Sequence, residues 1–177
     1  GAAAEDDFGS KKVDYYAKMY APMRRGLIPH PDYVSDANIS LLRQFDFVFV
    51  CVDKGPARKL ICSALQERGL PFIDCGMDLS MSSANEIYGT CRVTMSSAQK
   101  HDHFWNRAPT MEDSGDGLYD QNIQIADANA LNALLAVMRW KQHLKFYAMP
   151  NAWNHMEYML GAMALAKSDA IDNNNAN

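Results

Sequence analysis

Residues 45–75 read F-D-F-V-F-V-C-V-D-K-G-P-A-R-K-L-I-C-S-A-L-Q-E-R-G-L-P-F-I-D-C. The first eight residues are almost continuously apolar, β-branched and aromatic. That pattern predicts a strand buried on both faces, whose usual place is the centre of a parallel sheet. The run ends at Asp53. Gly55-Pro56 makes the turn, and Pro56 suits the first turn of a helix because its missing N–H has no partner there anyway. A helix is expected over Ala57–Arg68, burying Leu60, Ile61, Ala64 and Leu65, and Gly69 stops it. Leu70–Cys75 is a second buried strand. The whole is a strand–helix–strand unit of ~30 residues, the length of a right-handed parallel crossover.

Outward from this unit the pattern changes. Upstream, Ser10 can cap a helix that starts at Lys11 and turns Val13, Tyr16, Ala17 and Tyr20 to one side, with Pro22 and Gly26 ending it. Leu27–Tyr33, with two prolines around His30, is an interrupted extended segment, and Asn38–Gln44 a short helical turn. Downstream, Met77–Ser82 and Ile87–Ser96 alternate and predict an antiparallel pair around S-S-A-N. Ser97–Leu118 is polar and acidic and reads as a long mobile loop. Asn122–Tyr147 is a long helix whose Ala126, Ala130, Ala133, Leu134 and Val137 would pack on the sheet. Trp153–Leu165 holds one or two final strands, and residues 166–177 form a low-complexity, disordered tail. The expected fold is α/β: one domain with a Rossmann-like, mostly parallel sheet, helices on its faces, and a continuation into antiparallel strands. Its ordered core spans residues 10–165.

Composition narrows the function. The chain has 177 residues, 48% hydrophobic and 21% charged, with a formal net charge of -4. That is an ordinary globular balance without the basic excess of a nucleic-acid-binding face. No apolar run approaches the ~20 residues of a membrane span, and the small, acidic start does not resemble a signal peptide. Four cysteines, Cys51, Cys62, Cys75 and Cys91, include no C-x-x-C pair. They read as reduced thiols in a cytoplasmic setting rather than as a disulfide framework or a four-cysteine zinc site. Cys51 and Cys75 in particular read as small buried thiols.

The candidate chemistry gathers near Asp53. Ligands of open α/β sheets bind beyond the carboxyl ends of the strands. A carboxylate at that place can hold a divalent metal, hydrogen-bond a ribose, or simply cap the next helix. Arg58, one turn into that helix, either faces the same crevice or is a solvated surface arginine. Lys11-Lys12 opens the first helix, where a lysine can meet a phosphate or only solvent. Cys91, in G-T-C-R, reads as a buried inert thiol, because no basic partner lowers its pKa. H-D-H at His101–His103 lacks a third metal ligand at a fixed spacing. Met149, Met156, Met159 and Met163 read as core or interface filling. The 177 residues contain no G-x-G-x-x-G and no Walker lysine loop.

The apolar strand ending in Asp53, the Arg58 five residues on, the helix, and G-L-P-F-I-D-C-G-M together resemble the second half of the ThiF/MoeB/HesA domain, the adenylation domain shared with ubiquitin-activating enzymes. G-S-K-K-V-D upstream is similar to that family's lysine motif at a helix start. Y-G-T-C-R-V-T and N-I-Q-I-A-D-A-N-A-L-N-A-L-L-A-V-M-R-W-K resemble a bacterial branch, and the likeness spans about Phe8 to Leu165. The resemblance implies binding of ATP and Mg²⁺ and adenylation of the C-terminal carboxylate of a ubiquitin-like or sulfur-carrier protein, by a homodimer. It gives Asp53 the role of metal-binding carboxylate and Lys12, which precedes Val13, the phosphate contact. Arg58 becomes a structural or site-shaping arginine. Three departures stand beside it. The family's glycine-rich ATP loop is missing, Lys54 stands where Asn often follows the Asp, and no paired-cysteine zinc site occurs. The first implies an N-terminally incomplete domain, inactive alone. The alternatives are a non-catalytic binding or dimerisation module and a dinucleotide-dependent oxidoreductase in which Asp53 binds ribose.

Overall fold

The computed structural model describes residues 9–108 and 125–170, and the chain divides after Val34 into two compact units. In the first, α1 (Lys12–Tyr20) starts after Lys11 rather than being capped by Ser10. Its Tyr16 stacks on Tyr20, one helical turn away. Lys11 donates from Nζ to the Pro31 carbonyl at 2.7 Å and so ties the extended segment back to the helix start.

The second unit opens with a 3₁₀ turn, Ile39–Gln44. It continues through β1 (Val48–Val50), α2 (Gly55–Gln66), β2 (Phe72–Met81), β3 (Ile87–Ser96), α3 (Phe104–Arg107), α4 (Ala126–His143), β4 (His155–Met159) and β5 (Ala164–Ser168). The five strands form one mixed α/β sheet in the order β1-β2-β3-β4-β5. β1 and β2 are parallel, with Val50 opposite Asp74, so the expected strand–helix–strand crossover is present. The other three pairings are antiparallel. The expectation of a mostly parallel sheet therefore holds only at the β1–β2 pair. Among the described residues no helix is long and apolar enough to cross a membrane.

Alternation along the strands assigns the two faces. Val50 and Phe72 point to α2 and α3 and pack with Ile61, Cys62, Leu65 and Phe104. Ile73, Val93, Met95 and Met156 point the other way and pack with Ala136 of α4 and with Trp153. A sheet covered by helices on both faces is the layered arrangement that buries both apolar sides.

Several sequence readings need correction. β1 lies at the margin of the described sheet, not at its centre, and only three residues of the eight-residue run join the ladder. Phe49 is 40% exposed, its ring leaning on Phe47 and Trp140. The buried side of α2 is Arg58, Ile61, Cys62 and Leu65, so an arginine shares the stripe that was expected to be wholly apolar. The buried side of α4 is Ala128, Asn132, Ala136 and Arg139, whereas the expected Ala126, Ala130, Ala133, Leu134 and Val137 are all exposed. Two polar residues on the inner face hid it from a reading by hydrophobicity. The first part of the expected loop is folded: Ser97 bridges to Lys100, and the fully buried Phe104 packs edge-on against Phe72. The tail was expected from residue 166, but β5 runs to Ser168. The remainder of that loop, 109–118, and the last seven residues lie outside the described residues.

Candidate functional site

β1 gives way to irregular backbone after Val50, and α2 starts at Gly55 with Pro56 in its first turn. Asp53 lies in this short crossing and is exposed. The residue before the helix is Lys54, in extended conformation, and no side chain caps the helix start. Asp53 is therefore not the helix cap that its spacing also allowed. It makes no side-chain hydrogen bond or ion pair among the described residues.

Arg58 is turned inward and only 6% exposed, so the solvated-surface reading fails. One guanidinium nitrogen donates to the Val52 carbonyl at 2.6 Å, immediately before Asp53. The Nε donates to Asp74 Oδ1 at 3.0 Å. Arg92 meets the other oxygen of Asp74 at 2.7 Å. Both arginines thus share one fully buried carboxylate that stands opposite Val50 in the register. The geometry needs Gly76: a Cβ there would collide with the Arg92 guanidinium lying across it. The polar path continues from Arg92 to the Thr94 hydroxyl at 3.0 Å, and from Thr94 to His155 at 3.0 Å. His155 in turn faces Glu157 at 3.4 Å.

Arg58 and Asp53 thus share the turn that opens α2, one buried beneath it and one exposed on it. Lys12 is an exposed residue of α1 in the other unit. The sequence reading missed Asp74 and Arg92. The signal was present in P-F-I-D-C and C-R-V: a carboxylate or a guanidinium inside an apolar strand must find a charged partner, because burying it alone is costly.

The thiols divide into two kinds. Cys91 and Cys62 are fully buried, and burial pushes both upward in pKa. Cys91 donates weakly to the Ala128 carbonyl. Cys51 is exposed, which corrects its reading as a buried thiol, and Cys75 is half-buried. The two are hydrogen-bonded to each other, which draws Cys51 down and Cys75 up. No group of three or more metal-ligating side chains exists among the described residues, so His101 and His103 do not form a metal centre there. His103 is instead buried, its Nε2 3.0 Å from the Met95 carbonyl.

Comparison with protein-family models and with curated proteins finds no match for this chain.

Proposed function

We propose that this chain is a ThiF-type adenylation domain of Rossmann-like ancestry. It would activate the C-terminal carboxylate of a ubiquitin-like or sulfur-carrier protein with Mg²⁺-ATP, as a cytoplasmic homodimer. The observation that carries the reading is Asp53. It is exposed and unbonded just beyond the carboxyl end of a strand in a parallel crossover, the place where open α/β sheets receive ligands.

A lone carboxylate suits Mg²⁺, which keeps several waters and takes one or two carboxylates together with substrate phosphates rather than a full protein cage. Bound magnesium would offset charge on the phosphates during transfer. The protein's part is placement. Arg58, fixed between Asp74 and the Val52 carbonyl, holds the turn that presents Asp53 and acts as a positioning residue. In the reaction a carboxylate oxygen of the carrier attacks the α-phosphorus, the bond to the bridging oxygen breaks, and pyrophosphate leaves. The glycine loop that normally cradles the phosphates is not among the 177 residues, and we propose that the chain is inactive alone.

One observation favours the non-catalytic alternative, a binding or dimerisation module. β1 has no second neighbour among the described residues, so no strand flanks Asp53 on the side away from β2. Pyrophosphate exchange into ATP, measured on the complete gene product, separates the two. Adenylation predicts exchange with a carrier bearing a free C-terminal carboxylate and none with the same carrier amidated. Self-association without exchange for any carrier would favour the module.

A further inference from the structure

A cavity of about 370 Å³ opens on the α4 side of the sheet, lined among others by Met95, Gln99, Arg139, Gln142, His143 and Lys145. Met95 stands opposite Ile73, near the amino end of β2, and Asp53 is not among the residues that line the cavity. Among the described residues no acidic side chain lines it.

Arg139 is the unusual member. It is 2% exposed. Its Nε donates to the Trp153 carbonyl and its Nη2 to Asn154 Oδ1, each at 3.0 Å, and its guanidinium lies 5.2 Å from the centre of the Trp153 ring. Every one of these partners is neutral. The remaining Nη1 is buried and has no partner, and no carboxylate among the described residues pairs with this arginine. Burial draws its pKa down to about 10, which still leaves it charged at neutral pH. Buried arginines ordinarily have an anionic partner, and an orphaned buried donor calls for an explanation such as an unseen ion. The neighbouring Gln142 Oε1 is orphaned as well. A half-turn of that amide would offer two further donors, and Lys145 adds a second positive charge at the rim.

We propose that this cavity binds a small oxyanion group, carboxylate or phosphate, between Arg139 and Lys145. Arg139, which lines the cavity, supplies the charge-assisted hydrogen bond, and Lys145 supplies a screened attraction. The site stands independently of the adenylation reading, because it uses none of the residues around Asp53.

The test uses inorganic phosphate and acetate as probes, at constant ionic strength against chloride. It is read by calorimetry and by the Arg139 Nε–H resonance. The proposal predicts saturable one-site binding of at least one probe with a shift of that resonance, and the tighter arm identifies the group recognised. Lys145→Gln should weaken binding about fivefold and leave melting in chloride unchanged. Arg139→Gln should weaken it more than about tenfold. If Arg139→Gln does not fold, Lys145→Gln and the wild-type resonance decide the matter. Shifts that merely track salt for both probes overturn the proposal. So does affinity that is the same in wild type and Lys145→Gln.

Discussion

Asp74 accepts two arginines from opposite sides, Arg58 of α2 and Arg92 of β3, with none of the three more than 8% exposed. Removing one member of such a buried set leaves uncompensated charge, and the cost is typically about 3–5 kcal/mol. Asp74→Asn should therefore lower the unfolding free energy by about that amount in urea titration. A loss no larger than that of an exposed Asp→Asn change would mean that the triad does not hold the sheet to α2. The histidines make a separate prediction. His103, His143 and His155 all have pKa values below the ordinary histidine range, mainly because burial disfavours the charged ring. The folded state then binds fewer protons than the unfolded chain, whose histidines titrate near ~6.5. Stability is full above that value and falls as the pH drops through it toward the depressed folded values. The melting temperature should fall between pH 7 and pH 5, and His103→Gln should reduce the slope. A flat profile over this range would contradict the burial argument.

Among the elements, the β2–β3 hairpin joins the parallel unit to the antiparallel part. Its tip closes from Ser82 N–H to the Glu86 carbonyl at 2.8 Å, and the Ser82 hydroxyl accepts from two further backbone N–H groups. Close to the tip, Gly89 has φ +137° and faces the Asp78 carbonyl, into which a Cβ would run. Gly89→Ala should cost about 2 kcal/mol. Because β3 also pairs with β4, it should also speed amide exchange at Asp78–Met81 more than at Phe72–Asp74. Uniform protection would refute this. The S-S-A-N turn and the strand Ile87–Ser96 were legible in the sequence, because turn chemistry and a two-residue period are local signals, but Leu70–Cys75 and Met77–Ser82, expected as two strands, are one continuous strand, β2. The inner face of α4 was not legible. Asn132 is drawn inside by a hydrogen bond to the Gly76 carbonyl at 2.9 Å, and Arg139 by the Trp153 carbonyl. Those partners are remote in sequence, so no helical window could reveal them.

For the molecule as a whole, the crossover and the helices on both faces followed from the order of apolar runs, while the position of β1 did not. An apolar run implies burial without saying which neighbours provide it. Here α2 buries Val50 on one side and α4 half-buries Phe47 on the other, and the edge of the strand away from β2 carries no partner among the described residues. The surroundings of Asp53 were legible to the same degree. Asp53 and Arg58 stood out by their distance from the strand, whereas the carboxylate that fixes Arg58 lies 16 residues further along the chain. The account turns on Asp53 serving a ligand rather than the fold, and its exposure lets the two roles be separated by one substitution. In the complete gene product, Asp53→Asn should lower carrier-dependent pyrophosphate exchange at least about 100-fold while the melting temperature stays at the wild-type value. Exchange at the wild-type rate in that variant would contradict the account.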